Sequence, residues 1–328
     1  MHSLLVVLEQ QNGILRRSSC DLFRYATSLK RQNQNLMLQG VVIGPLAGGE
    51  PIKAFSSDER IVHIDEPQLS LYQPDGYVAV LDSFVAETGA TRVLFADSAF
   101  GADCAARLAA LLNCDLLTHC GDIRFIDGHV EADTAWYAGS VSATMVSEGE
   151  CAVMTVIGRG GSRSERESMP QEITKKTLAG LESSSWNPVV DAFLAAPDEI
   201  QDMTEAAIII AGGRGMGGAE GFEMLESLAC VVGGRVGASR SAVDEEWRPH
   251  SDQIGQTGKT VVPRLYVACG ISGAVQHLAG MSGAATVIAI NSDPDAPIFS
   301  ASDYGIVGDV ADIVPRLEAL IRERIGKK

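Results

Sequence analysis

Arg214, Arg240, Thr257, Ser272, His277 and Asn291 are the residues whose types could do chemistry together. Each stands at or just past the end of an apolar or small-residue run. Arg214 lies in Gly212-Gly-Arg-Gly215, after Ala206-Ala-Ile-Ile-Ile-Ala211. Ser239-Arg240 closes Val236-Gly-Ala238. Ser272-Gly-Ala-Val-Gln-His277 follows Leu265-Tyr-Val-Ala-Cys269, and Asn291 ends Thr286-Val-Ile-Ala-Ile290. Short β-branched runs bounded by Gly or Asn read as buried parallel strands. Polar groups gathered at the carboxyl ends of such strands are where open α/β sheets hold ligands. A guanidinium beside bare backbone amides suits a pyrophosphate. Gln256 and Thr257, inside Ile254-Gly-Gln-Thr-Gly258, offer an amide and a hydroxyl to a planar heteroaromatic ring. The ligand indicated is a nucleotide.

Singly, each feature has an ordinary explanation. A Gly-rich turn often ends a strand for the turn alone. Ser272 is expected to cap a helix running on to Met281, with backbone N–H groups at its positive end, and capped helices are common. A lone histidine such as His277 is more often a satisfied structural group, and Ser239-Arg240 could form no more than a surface salt bridge. Five such features at strand ends within one small domain favour a binding site.

The elements that must position them follow from periodicity. Over residues 3 to about 115, strand-like runs (Leu4–Glu9, Gly40–Gly44, Arg60–Ile64, Arg92–Ala96) alternate with helix-like ones (Asp21–Lys30, Gly76–Thr88, Asp103–Leu112). That rhythm implies a parallel sheet with helices on both faces. Ile123–Ile126, Trp136-Tyr137, Ser140–Met145 and Cys151–Val156 are expected to extend the sheet at one edge. Gly44–Gly49 and Gly158–Gly161 contain glycines without a phosphate-binding pattern, so the N-terminal half reads as scaffold and subunit interface. Loop signals across about 160–204 mark the domain boundary. The expected layout is a domain over residues 1–200, with a linker at about 183–204, and a second domain over 205–328. A Pro/Ser-rich linker would let the second swing as a body.

Composition excludes several classes. At 328 residues and 46% hydrophobic, the chain can bury a sizeable core. A net charge of −16 leaves no basic stripe for nucleic acid. The seven cysteines lack C-x-x-C spacing and read as reduced thiols, with no metal site expected around His119-Cys120. The start of the sequence lacks a signal-peptide pattern, and no apolar run reaches the roughly 20 residues that span a bilayer. A cytoplasmic protein without direct membrane insertion is expected.

From about Ala206 onward the chain resembles the α subunit of electron transfer flavoprotein, the FixB-type family. The resemblance is carried by Gly-Gly-Arg-Gly at 212–215, Val-Gly-Ala-Ser-Arg at 236–240, Gly-Gln-Thr-Gly-Lys at 255–259, the run from Leu265 to Gly280, Ala289–Phe299, and Asp-Tyr-Gly-Ile-Val-Gly-Asp at 303–309. Over residues 1–200 it is one of rhythm and layout. Ser241 stands where alanine is common, and Asp115–Ile126 is less familiar.

The resemblance implies an α/β fold of two domains: an N-terminal parallel-sheet domain of adenine nucleotide alpha hydrolase type and a C-terminal Rossmann-like FAD-binding domain. It implies one FAD per chain and a heterodimer with an electron transfer flavoprotein β subunit that holds AMP or a second FAD. Donors would be flavin dehydrogenases, such as those of acyl-CoA, and the acceptor a quinone oxidoreductase or similar protein. Carried over by position, Arg214 and the backbone of Ser272, Gly273, Ala274 and Val275 look like pyrophosphate ligands. Ser239 and Arg240 would lie by the flavin. Thr257, within Ile254, Gly255 and Gln256, resembles a donor to the N5 edge, and His277, beside Gln276, the group near the pyrimidine C2 carbonyl. Asn291, Asp309 and Val310 match the adenosine end. Reduction puts negative charge on the N1–C2=O side of the ring, which a cation or donor stabilises. Arg240 and His277 are expected to supply it. No catalytic residue is needed, so an electron carrier is expected rather than an enzyme. The alternatives are a self-sufficient FAD-dependent oxidoreductase and a non-redox nucleotide-binding subunit.

Overall fold

In the computed structural model the described residues are 2–33, 35–47, 60–126, 128–136, 141–158, 173–176, 186, 190–192 and 203–325. Among them two compact units form, one over Met1–Gly158 with Ser164–Ala196, the other over Pro197–Lys328.

The first unit opens with β1 (His2–Leu8), a two-residue hairpin of β2 (Gln10–Gln11) and β3 (Ile14–Leu15), and α1 (Arg17–Gln32). There follow β4 (Leu36–Ile43), β5 (Arg60–Ile64), α2 (Pro74–Thr88), β6 (Arg92–Ala96) and α3 (Ala99–Leu112). Then come β7 (Asp115–Ile126), β8 (His129–Trp136), β9 (Val141–Ser147), β10 (Ala152–Val156) and β11 (Ile173–Lys176). The nine-stranded sheet has the order β11-β5-β4-β1-β6-β10-β7-β8-β9. Every pairing from β11 to β7 is parallel. Period-two alternation in β1 serves both faces: Leu4, Val6 and Leu8 join the core under α1, and Leu5 and Val7 the core under α2 and α3. Helix boundaries follow local chemistry. Pro74 begins α2 at a position needing no N–H, and Gly89 ends it at φ 65°, while the Ser98 hydroxyl accepts from Gly101 N to cap α3.

Two expectations change here. Cys151–Val156 is not an edge element, because β10 lies in the sheet interior between β6 and β7. Its five residues are all buried, so it is covered on both faces, and the one polar residue, Thr155, is satisfied by donating to Asp97 Oδ1 at 2.9 Å. The edge extension consists of β7, β8 and β9, which pair antiparallel. The second concerns the thiols. Ala152 pairs with Asp115 across parallel neighbours, which sets the preceding residues side by side. Cys114 and Cys151, with Cα atoms 5.2 Å apart, are joined as a disulfide rather than left reduced.

Residues 159–161 of the Gly158–Gly161 turn and much of the expected linker lie outside the described residues. Within the linker, residues 186, 190–192 and 203–204 are described, and Trp186 and Val190 dock on the first unit. Trp186 is buried against the face of α2 at Gly76. The Gln73 amide donates to the Val190 carbonyl at 2.7 Å and accepts from its N–H at 2.8 Å.

The second unit contains β12 (Ile208–Gly212), α4 (Gly221–Val232), β13 (Arg235–Ala238), α5 (Arg240–Asp244), β14 (Leu265–Cys269), α6 (Val275–Leu278), β15 (Val287–Asn291), β16 (Tyr304–Val307) and α7 (Val310–Ile325). Its sheet, β13-β12-β14-β15-β16, is parallel throughout. One face, through Ile210, Val267 and Ile290, packs under α4 and α7. The other, through Ile209, Ala211, Tyr266 and Ala268, is covered mostly by irregular segments that contribute Ile254, Val261, Ile271, Met281 and Ile298. The chain winds outward in opposite directions from β12 and β14. A crevice therefore opens between their carboxyl ends, the place where such sheets bind ligands. Among the described residues, no helix is long and apolar enough to cross a membrane.

Candidate functional site

The turn after β12 is fixed against the turn after β14. Gly213 N donates to Cys269 O and Gly215 N to Gly270 O, both at 2.9 Å. A Cβ on Gly213 would come within 2.4 Å of Gly270 O, and one on Gly215 within 2.7 Å of Gly270 Cα. These glycines thus serve the packing of one turn on the other, whereas the sequence suggested room for a phosphate. Their packing sends Arg214 outward, exposed and with no ion pair among the described residues.

Ser239 caps the one-turn helix α5 by backbone geometry and is buried; its hydroxyl lies 3.0 Å from that of Ser241. Arg240 projects into solvent and meets Asp244 at 3.4 Å. The 254–258 loop is tied on three sides. Ile254 N donates to Ala238 O at 2.9 Å, Gln256 N to Gln276 O at 2.8 Å, and the Gln253 amide to the Thr257 hydroxyl at 2.9 Å. Gly255 has φ 143°, and its backbone N would be only 2.3 Å from a Cβ on Gly280, so the loop and the α6 segment pack backbone to backbone.

Helix α6 is shorter than expected. It spans four residues, Ala274 precedes it without a side-chain cap, and Ser272 contributes its carbonyl to Ile298 N at 3.0 Å. The cause is local: Gly273 sits at φ 89° and packs against Pro297 and Ile298, which holds Ser272 outside any helix. Asn291 braces the same corner, its amide donating to Ile271 O at 2.9 Å and its carbonyl accepting from Asp293 N at 3.0 Å.

These segments enclose a cavity of about 670 Å³, within the roughly 300–1,000 Å³ typical of small-molecule sites. Of the expected residues it brings together Arg214, Ser239, Arg240, Ile254, Gly255, Gln256, Thr257, Ser272, Ala274, Gln276, His277 and Asn291. Gly273, Val275, Asp309 and Val310 are not among its lining residues. Gly273 is buried behind Ser272, Val275 points outward at the start of α6, Asp309 accepts from Ala311 N at 2.8 Å to begin α7, and Val310 is buried on the α4 side of the sheet. Sequence reasoning missed Gln253, Asp244 and Asp293 in the lining. Asp293 carried a legible signal, since it lies two residues past a strand end in Asn291-Ser-Asp. Gln253 carried none, because its role is to hold Thr257.

His277 departs from expectation in charge. It is 6% exposed, with Nδ1 3.1 Å from Ile254 O and Nε2 2.9 Å from the Tyr266 hydroxyl. Burial pushes its pKa from 6.5 down to about 4, so the ring is neutral at pH 7 and supplies no cation. The unfolded chain then binds one more proton than the folded chain between pH 6.5 and about 4. Stability from this group is complete above the unfolded value and declines as pH falls across that window, by up to about 3 kcal/mol. Denaturant unfolding between pH 7 and 4 is expected to show a smaller acid loss in His277→Gln than in the wild type. Equal losses would contradict the buried neutral ring.

Comparison with known proteins supplies a frame for this site. A family model described as the electron transfer flavoprotein domain matches residues 4–179, and one described as the electron transfer flavoprotein FAD-binding domain matches residues 202–282. The chain is 34% identical over 320 residues to an electron transfer flavoprotein subunit alpha of Thermoanaerobacterium thermosaccharolyticum, covering 95% of each. It is 36% identical over 284 residues to the subunit alpha of Bacillus subtilis, covering 85% of this chain and 86% of that one. It is also 35% identical over 328 residues to protein FixB of Clostridium saccharobutylicum, covering 98% and 96%. Similarity thus extends through the N-terminal half, beyond the stretch whose motifs are recognisable by eye.

Proposed function

The chain belongs to the electron transfer flavoprotein α-subunit family, and on that premise we propose that it holds one FAD in the cavity between the ends of β12, β14 and β15. Its function is electron transfer, with an FAD-binding domain in the C-terminal half; it is a carrier subunit rather than an enzyme. The observation that supports the location is the convergence of two guanidinium groups with hydroxyl and amide donors on one crevice. That donor set suits a dinucleotide, whose pyrophosphate needs cations and whose ring edges need hydrogen-bond partners. When bound, FAD supplies the ring that takes up and releases electrons.

Within this reading Arg214, with the backbone at Ser272 and Ala274, binds the pyrophosphate, supported by its lack of a competing ion pair among the described residues. Ser239 and Arg240 lie by the ring, and Arg240 is the cation offered to the charge that reduction creates. Thr257, with its hydroxyl oriented by Gln253, serves the N5 edge, within a loop set by Ile254, Gly255 and Gln256. Gln276 and His277 adjoin the pyrimidine edge, and Asn291 the adenosine. For Gly273, Val275, Asp309 and Val310 the assignment rests on the family pattern alone.

Residues 205–328 then form the FAD-binding domain, and residues 1–200 the scaffold and subunit-interface domain, with its linker. The partner is an electron transfer flavoprotein β subunit in a heterodimer, which holds AMP or a second FAD. Flavin dehydrogenases donate and a quinone oxidoreductase or comparable protein accepts, in the cytoplasm. Naming of the relatives as subunits supports the heterodimer. Co-expression with a β-type subunit tests the reading. A yellow pair that a flavin dehydrogenase reduces, and a quinone-linked acceptor reoxidises, is expected. A colourless pair retaining only AMP or ADP would replace it with a non-redox subunit. Turnover of a small substrate by this chain alone would replace it with a self-sufficient oxidoreductase.

A further inference from the structure

Tyr266 and His277 form a buried pair that binding alone does not require. Tyr266 is fully buried in the middle of the site's sheet and does not line the cavity. Its hydroxyl has one hydrogen-bond partner among the described residues, His277 Nε2 at 2.9 Å. On the other side of the ring, Nδ1 faces the Ile254 carbonyl at 3.1 Å. A carbonyl oxygen only accepts, so Nδ1 must carry a proton. In the neutral ring Nε2 is then bare and accepts from the Tyr266 hydroxyl. Were Nε2 also protonated, the phenol would have to turn its own proton away within a fully buried setting, where an orphaned donor is costly. Burial of both groups agrees with this: it holds the tyrosine protonated and the imidazole neutral.

We propose that Tyr266 is a positioning residue of the flavin site, whose hydroxyl fixes His277 as the neutral Nδ1–H tautomer so that the ring clamps Ile254 O and thereby places the 254–257 loop. This rests on the reading that FAD occupies the cavity. It assigns His277 a task different from charge balance. Both of its polar atoms are committed within the protein, one to a strand residue and one to the carbonyl that precedes Gly255-Gln-Thr257. The same loop is held from α6 through Gln256 N and Gln276 O at 2.8 Å, so the imidazole and the α6 backbone grip it at consecutive points. Thr257, which carries the hydroxyl on that loop, inherits its position from this grip and from Gln253.

The test uses the purified heterodimer labelled with ring-¹⁵N histidine, the His277 signal being identified by its loss in His277→Gln. In the wild type at neutral pH the expected spectrum is a neutral ring protonated at Nδ1. In Tyr266→Phe, which keeps the packed ring and removes only the hydroxyl, His277 is expected to leave that pure tautomer, and FAD is expected to dissociate roughly five- to tenfold faster, the effect of one neutral hydrogen bond. Wild-type His277 found as the Nε2–H tautomer or as imidazolium would overturn the proposal without any variant being needed. So would a Tyr266→Phe pair with unchanged nitrogen shifts and unchanged flavin release. A wild-type pair that binds no FAD would instead sink the functional reading, and the nitrogen spectrum separates that failure from this one.

Discussion

Gly270→Ala is expected to destabilise the second unit by about 2–5 kcal/mol and to leave the chain with little flavin. Two costs add. Gly270 sits at φ 60°, where an L side chain costs about 1–2 kcal/mol. A Cβ there would also lie 2.7 Å from Gly215 Cα, between backbone segments that cannot swing away, and overpacking of that kind costs about 1–3 kcal/mol. Because Gly215 N donates to Gly270 O, any relief of the clash displaces the turn that presents Arg214. Gly233→Ala is the control, since it has a similar φ of 66° but open space around its would-be Cβ, and should show only the first cost. Denaturant unfolding of both variants, with flavin content measured alongside, checks this. Equal effects at the two positions would show that the turn-on-turn packing does not matter.

Arg214→Ala should do the opposite, sparing the fold and losing the ligand. Its side chain is exposed and has no ion pair among the described residues, so stability without FAD should change by no more than about 0.5 kcal/mol. A charge-assisted hydrogen bond to a pyrophosphate contributes about 1.5–3 kcal/mol, so FAD affinity is expected to fall roughly 10- to 100-fold. Arg214→Lys should recover part of this, since it keeps the charge but loses the planar fork. Fluorescence titration of the deflavinated heterodimer gives the numbers, and an unchanged Kd would remove Arg214 from the site.

How much of this was legible beforehand depended on the range of the interaction involved. Arg60–Ile64 and Arg92–Ala96 could be read to the residue, because a short apolar run bounded by polar residues is a local signal. The clustering of Arg214, Arg240 and His277 just past strand ends was also visible, since parallel topology carries every such end to the same edge. What could not be read was set by contacts across the chain. The place of β10 depends on which strands flank it, and the Cys114–Cys151 pairing follows from that neighbourhood. The single turn of α6 arises because Gly273 packs on Ile298, 25 residues away by number. The neutrality of His277 could not be foreseen either, because it requires knowing that Tyr266 and Ile254 meet the two sides of one ring.

The central claim is that the crevice carrying Arg214 and Arg240 is where FAD resides, and counting flavin tests it most directly. FAD released from the gel-filtered heterodimer should be measured per pair, for the wild type and for a pair in which both arginines of this chain are alanine. The double variant is expected to carry one FAD fewer than the wild type, whatever nucleotide the partner holds, with its unfolding midpoint in the absence of flavin unchanged. An equal count in the two preparations would place the cofactor elsewhere and contradict the account.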